Sequence, residues 1–572
     1  MKKIFHKILY PLERKDFYKS VILLITVLLT TLLELIGISL IIPILTIFTG
    51  NDYLEYIKYF TFLENNSKEE ILVAILFIFS LIYFIKFLTM SFLAFFQSAF
   101  SYSIYSRVTC ELYKKYLSQN YIFHLKSNSS ELIRNLTSEC NLYSFGLVYP
   151  LIKLFSEIII FISILCLLFY YNLLASSLSL LFFSITGFVI YKSTSFGLKS
   201  LGEKRLLHSA GMLKQINQGL GVIKEIIIYK LNNFFSDQFK EHVLLYSKAS
   251  RTRDIIVEFP RLILEFLVVL IFFTAIYIFL KQGKNISEIF VIIGVFAFAS
   301  VRLMPSIVKI IKAFQSIKYN FPVIDLIYKE LNLPSNQSKK FQVEGNNDFN
   351  FKKLKFKDVS FSYYILDKEK KIFDNLNLEI NKGDKIGIKG PTGAGKTTLI
   401  NLLLGLLKPT KGNFLINAEK VENNLSNFQS SIGYVPQQVY LADESLIFNI
   451  ALEEKNNADI KLIQKIIDTL NLSELINNLP KKLYTKVGER GSRISGGQLQ
   501  RIGIARALYR KPSILILDEA TNSLDKDIEQ KIIKSVFNND LVSTIISISH
   551  RESSFEYCDK LFELDDGKFK EL

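Results

Sequence analysis

The chain has 572 residues, 49% of them hydrophobic and 21% charged, with a formal net charge of +16 and a mean hydropathy of +0.26. That balance excludes a single small domain and a wholly soluble protein, and predicts a membrane protein of two or more domains. The positive charge does not point to nucleic acid: basic residues such as Lys2, Lys3, Lys7, Arg14, Lys15 and Lys19 are spread through stretches that the span pattern places in the cytoplasm, where anionic lipid head groups account for them.

Residues 1–20 mix charges with Phe5, Ile8, Leu9 and Phe17, which suits a helix lying in the cytoplasmic interface. The apolar run from Val21 is too long for a cleavable signal and reads as a retained span. Six runs of spanning length occur near 21–49, 71–99, 146–170, 174–192, 261–280 and 289–311, each close to or above the roughly 20 residues a crossing helix needs. They define a transmembrane domain over 21–325. The connections 100–145 and 193–260 are long and rich in Lys and Arg, so they and both termini are placed in the cytoplasm. Helical periodicity around Glu111–Leu117 and Leu206–Ile227 predicts that the spans continue beyond the bilayer. In segment 51–66, Tyr53, Tyr56, Ile57, Phe60 and Leu63 recur at helical spacing, which fits a short amphipathic helix on the outer surface or a solvated loop. The four cysteines, Cys110, Cys140, Cys166 and Cys558, have no metal-ligand spacing and predict free thiols. Residues 326–350 form the linker, polar from about 331, and 351–572 form a soluble α/β domain.

That domain carries Gly390-Pro391-Thr392-Gly393-Ala394-Gly395-Lys396-Thr397, a full phosphate loop between strand-like Lys385–Lys389 and helix-like Thr398–Leu404. Its glycines let backbone N–H groups turn inward, Lys396 reaches the β- and γ-phosphates, and the Thr397 hydroxyl suits Mg²⁺. Ile514–Glu519 is a buried-strand pattern ending in two carboxylates: Asp518 is placed to hold Mg²⁺ through water, and Glu519 to polarise an attacking water. Between them Ile494-Ser495-Gly496-Gly497-Gln498 opens a helix and forms a second anion cradle.

In that order and spacing the three motifs resemble the nucleotide-binding domain of the ATP-binding-cassette (ABC) superfamily. The resemblance implies that two such domains sandwich two ATP molecules, each site joining the phosphate loop of one chain to the signature (Ser495, Gly496, Gly497, Gln498) of the other. It also implies ATP contacts from residues 390–398, including Thr398, adenine stacking on Tyr363, and Mg²⁺ contact from Gln437 beside Thr397 and Asp518. His550 matches the switch histidine, Asp525 the aspartate loop, and Thr485–Gly491 a loop touching the partner's membrane domain. Singly, Tyr363 reads as a core aromatic, Gln437 as a turn residue and His550 as a strand-end histidine; jointly and in register they read as a site. Ile494 and Asn522 depart from the family's usual leucine and serine, and neither removes a catalytic group.

Six spans followed by one cassette resemble a half-size ABC exporter, an α-helical six-span membrane domain with an α/β P-loop ATPase, which implies a homodimer. In that architecture Asn120–Leu125 and Tyr229–Phe234 are the expected coupling helices. Charges inside spans are costly and mark candidate substrate contacts. Counting from the outer ends, Lys86 and Arg302 lie roughly 20 Å deep, and Arg261 and Lys309 about 30 Å deep. These two tiers, with few acids expected nearby, suit a multiply anionic head group. For Arg261 and Lys309 snorkelling to the inner head groups is the alternative, and Arg261 is also placed to pair with Glu265. The strings Pro260–Glu265 and Arg302–Ser306 resemble bacterial flippases for lipid-linked oligosaccharides, which implies ATP-driven flipping of a polyprenyl-pyrophosphate glycan in the bacterial inner membrane, with the cassette cytoplasmic. The alternatives are an exporter of another lipid, a peptide or a drug, and a non-transport ATPase or ATP-gated channel.

Overall fold

The computed structural model describes residues 6–49 apart from 9 and 12, 68–334 apart from 172, 284 and 285, 349–453 apart from 366 and 367, and 457–572 apart from 489 and 490. Segment 51–66 and most of the linker therefore lie outside the described residues. The chain divides into two compact units, residues 1–119 with 126–335, and residues 120–125 with 336–572.

The first unit is helical. Apolar runs with no surface to hide backbone polar groups must bond them internally, which in lipid means helices. Its elements are α1 (Arg14–Ser39), α2 (Ile41–Thr49), α3 (Lys68–Leu117), α4 (Tyr121–Lys126, most of it grouped with the second unit), α5 (Tyr149–Tyr171), α6 (Leu173–Ser195), α7 (Leu198–Gly221), α8 (Ile223–Tyr229), α9 (Asn232–Lys281), α10 (Ile286–Tyr319) and α11 (Phe321–Leu331). Among the described residues five helices are long and apolar enough to cross a membrane, running from Arg14, Glu69, Ser129, Leu180 and Asn232. The sixth apolar segment of the sequence, 289–311, lies in α10. At 50 residues each, α3 and α9 far exceed the length that crosses a bilayer, so the expected cytoplasmic continuations are helical.

Ile38, Ile160, Ile164, Leu168, Leu264, Ala299, Leu303 and Ile307 form a buried core shared by α1, α5, α9 and α10. Gly202 allows α7 to approach α10 closely, since a Cβ there would lie 1.9 Å from the Tyr319 carbonyl oxygen. Two π-helical turns, Asn135–Glu139 and Ser144–Val148, interrupt the helical stretch that begins at Ser129. The first expected coupling segment forms α4. The second differs: α8 ends at Tyr229, and Lys230 takes a left-handed conformation (φ +58°) whose N–H bonds back to Ile226, so 229–234 spans a helix end and a turn.

The second unit has two sheets. β1 (Lys353–Ile365), β2 (Lys368–Asn381), β4 (Lys411–Ile416) and β5 (Glu419–Lys420) form one, in the order β2-β1-β4-β5. β3 (Lys385–Lys389), β6 (Ile432–Val435), β7 (Ile514–Asp518), β8 (Thr544–Ile548), β9 (Lys560–Asp565) and β10 (Lys568–Glu571) form the other, in the order β10-β9-β3-β8-β7-β6. Pairing is parallel from β9 through β6. Strands such as Ile514–Leu517 and Thr544–Ile548 are buried throughout, as parallel strands covered on both faces require. Helices α12 (Lys396–Leu403), α13 (Gly496–Tyr509) and α14 (Lys526–Phe537) come after the phosphate loop, the second anion cradle and the aspartate loop.

Candidate active site

An open parallel sheet binds ligands beyond the carboxyl ends of its strands. Here β3, β8, β7 and β6 are neighbours, and their carboxyl ends carry, in that order, Gly390, Ser549-His550, Asp518-Glu519 and Pro436-Gln437. Strand pairing thus gathers groups separated by up to 160 positions into one row.

Gly395 caps α12 at φ +101°, a conformation only glycine adopts freely, and turns the loop into the helix N-terminus. Thr397 is exposed at that terminus, and Thr398 is buried behind it. The Lys396 ammonium donates to the carbonyls of Gly390 (2.6 Å) and Pro391 (3.3 Å) and lies 2.6 Å from His550 Nε2. Burial pushes its pKa down, against the pull of Glu519 and Asp518, so a phosphate group would restore the charge balance it lacks.

The Glu519 carboxylate is held from three sides: Gln437 Nε2 donates at 2.7 Å, Asn522 Nδ2 at 2.8 Å, and His550 Nε2 stands 3.2 Å away. Glu519 itself sits at φ +48°, an unfavourable backbone for a side-chain-bearing residue, fixed by its N–H bond to the Ile548 carbonyl. Asp518 accepts from the Tyr434 hydroxyl at 3.3 Å. Burial raises the Asp518 pKa, and the Tyr434 bond and Lys396 counter that rise. Tyr434 has no role assignable from the motifs; a tyrosine directly on β6, beside the strand that ends in Asp518, is the only signal the sequence offers for it.

Tyr363 stands on β1, edge-to-face with Phe361 at 4.9 Å, and packs on the core beneath the phosphate loop. Ser495 caps α13 in a reciprocal box with Gln498, each backbone N–H donating to the other's side chain, so Gly496 and Gly497 open the helix between two satisfied groups. Asp525 caps the backbone start of α14 without a side-chain bond. In the loop Thr485–Gly491, Glu489 and Arg490 lie outside the described residues.

Thr397, Gln437 and Asp518 offer a hydroxyl, an amide and one carboxylate. Among the described residues no group of three His, Cys, Asp or Glu could hold a metal. An ion bound mainly through phosphate oxygens needs only this sparse set of hard donors, and Mg²⁺ fits that description.

The membrane cations differ from expectation. Lys86 on α3 is 3.1 Å from Glu34 on α1, both largely buried, and lies over the Tyr83 ring. Lys309 on α10 is 2.7 Å from Glu157 on α5, whose other oxygen accepts from Ser306. Arg261 pairs with Glu265 on its own exposed face of α9. The expected scarcity of acids is corrected: Lys86, Arg261 and Lys309 each have a carboxylate, and for Lys86 and Lys309 it comes from a helix distant in sequence. The side chain of Arg302 lies outside the described residues.

Two family models match the chain, one described as ABC transporter over residues 373–522 and one as ABC transporter transmembrane region over residues 20–303. The chain is similar to a Rickettsia bellii export ATP-binding/permease protein, 27% identical over 98% of this chain and 95% of that one. It is also similar to Arabidopsis thaliana ABC transporter B family member 29, chloroplastic (36% identical, 46% of this chain, 41% of that one), and to the ATP-dependent lipid A-core flippase of Ralstonia nicotianae (32%, 38% and 37%). The chain spans about two fifths of the length of several relatives it matches. The structure of a bacterial Atm1-family ABC exporter with ATP bound superposes with a TM-score of 0.79 at 20% identity, covering 97% of this chain and 95% of that one, which shows a shared fold.

Proposed function

Since the chain belongs to the ABC transporters and has the architecture of a half-size exporter, we propose that it is an ATP-driven flippase of polyprenyl-pyrophosphate-linked oligosaccharide, working as a homodimer in a bacterial inner membrane. ATP binds through the phosphate loop, Lys396 and Tyr363. Thr397, Gln437 and Asp518 would hold Mg²⁺, which would supply charge neutralisation for the phosphates. Glu519 takes a proton from the attacking water as its oxygen bonds to the γ-phosphorus and the bond to the ADP oxygen breaks. His550, beside both Lys396 and Glu519, holds that carboxylate and the γ-phosphate end in register.

The homodimer reading is supported by α8 and its surroundings. Ile227, Ile228 and Tyr229 are exposed at 67%, 70% and 67%, apolar surface that a cassette of the partner chain would cover. Each signature would then complete the partner's site.

The observation that carries the substrate reading is Lys309. Its ammonium is tied to the nearly buried Glu157 while its side chain remains 41% exposed, so it can exchange a carboxylate for a phosphate oxygen without leaving its helix. The similar Ralstonia nicotianae protein is an ATP-dependent lipid A-core flippase, which supports a lipid cargo. The pairing of Lys86, Arg261 and Lys309 with carboxylates also supports a second reading, an exporter of a less charged lipid. The test is ATPase in liposomes: polyprenyl-pyrophosphate glycan should stimulate turnover more than its uncharged polyprenyl-alcohol counterpart. Equal stimulation favours the second reading, and no stimulation by any lipid favours an ATP-gated protein.

A further inference from the structure

We propose that Asn522 is a positioning residue for hydrolysis, through which the aspartate loop sets the orientation of the Glu519 carboxylate. This rests on the reading of Glu519 as the group that takes the water's proton.

Two bonds meet at Asn522. Its side-chain Nδ2 donates to Glu519 Oε2 at 2.8 Å, and its backbone carbonyl accepts from Arg551 Nη2 at 2.8 Å. Arg551 directly follows His550, and its other terminal nitrogen reaches the Leu524 carbonyl (3.2 Å) and Glu529 Oε2 (2.9 Å). Glu529 is completely buried and also accepts from Thr521 (2.7 Å). A planar guanidinium with three fixed acceptors is an anchor: it cannot turn without leaving a buried carboxylate unpaired. The aspartate loop is thereby locked to the histidine loop, and Asn522 is the member of it that touches the reacting carboxylate.

The loop has a second attachment. The Ser523 N–H donates to Gln500 Oε1 on α13 at 2.9 Å, the helix that opens with Ser495. A shift of the signature helix is therefore transmitted to residue 523, and Asn522 is its neighbour. The third support of Glu519, Gln437, comes from the separate β6 side. Glu519 is thus clamped between a loop tied to the signature helix and the Pro436-Gln437 segment that follows β6, which makes the side chain at 522 a reporter of signature position. A serine there would carry one donor on a shorter arm; the carboxamide reaches the carboxylate directly.

The test uses the full-length protein in lipid. Asn522→Ala is expected to lower kcat by about 10-fold, the scale of a modest misplacement of a reacting group, while KM for ATP changes less than about twofold. Asn522→Ser, which keeps a donor, should recover part of kcat. Arg551→Lys keeps a charge on Glu529 but loses the fork, and the double variant Asn522→Ala with Arg551→Lys should be no slower than the slower single variant, because both act on one carboxylate. A wild-type kcat in Asn522→Ala, or losses that multiply in the double variant, overturns the inference. Glu519→Gln is the control for the underlying reading: turnover retained there overturns that reading, whatever the Asn522 variants do.

Discussion

The phosphate site and the membrane charges are built from the same chemistry, cations facing carboxylates, yet they are arranged in opposite ways. In the cassette, polar groups sit at the ends of buried parallel strands, and Lys396, Glu519 and His550 remain partly exposed in a shared network. In the helical unit, Lys86 and Glu34 are a closed pair at 12% and 4% side-chain exposure, whereas Lys309 with Glu157 is half open at 41% and 9%. A network open on one side is poised for a ligand. A closed pair holds helices together, and in the half-open pair only the cation is available to a ligand.

The comparison breaks most sharply at Glu519. Glu519→Gln should lower ATP turnover by at least about 100-fold with nucleotide binding retained, whereas Lys396→Ala should lose binding itself; single-turnover hydrolysis and nucleotide binding measured side by side separate the two. Next come the membrane pairs. Glu34→Ala strands a buried ammonium and should cost about 3 kcal/mol of stability, and Glu157→Ala should cost about half of that, since Lys309 reaches water or head groups. Glu265→Ala should be silent, because its partner Arg261 is exposed. Thermal unfolding in one detergent ranks the three, and an equal loss for Glu34 and Glu265 would erase the distinction between closed and open pairs.

What is legible in the sequence divides along the same line. The phosphate loop, Asp518-Glu519 and the Ser495 turn are contiguous strings whose local conformation, strand to loop to helix, already dictates what their atoms can bind. Gln437 and His550 need a family resemblance, because single residues at strand ends say nothing until sheet order makes β6 and β8 neighbours of β7. Lys86 and Lys309 are visible as charges in apolar runs, but their partners are not: Glu34 and Glu157 lie 52 and 152 positions away, and only helix packing selects them. The helix end at Lys230 is hidden among the aromatics of 229–234, because a left-handed residue with a side chain decides where α8 stops and nothing in its identity announces that conformation.

Subtler effects sharpen the cassette side. Tyr434→Phe removes the bond that offsets burial at Asp518. Without it the carboxyl, already raised, rises further, so Mg²⁺-dependent turnover should fall off at higher pH on acidification than in the wild type. A pH–rate profile at saturating Mg²⁺ checks the direction: an acid limb that stays in place leaves Tyr434 without that role. For the dimer, a Lys396→Ala chain paired with a Ser495→Arg chain should leave at most one intact site per heterodimer, read by nucleotide trapping.

The central claim, ATP-driven movement of a pyrophosphate-linked lipid past Lys309, is tested most directly by transbilayer movement of fluorescent polyprenyl-pyrophosphate oligosaccharide in proteoliposomes. Translocation should depend on ATP, disappear in Glu519→Gln and fall at least about tenfold in Lys309→Ala. Translocation at the wild-type rate in Lys309→Ala, or the same rate with and without ATP, contradicts the claim.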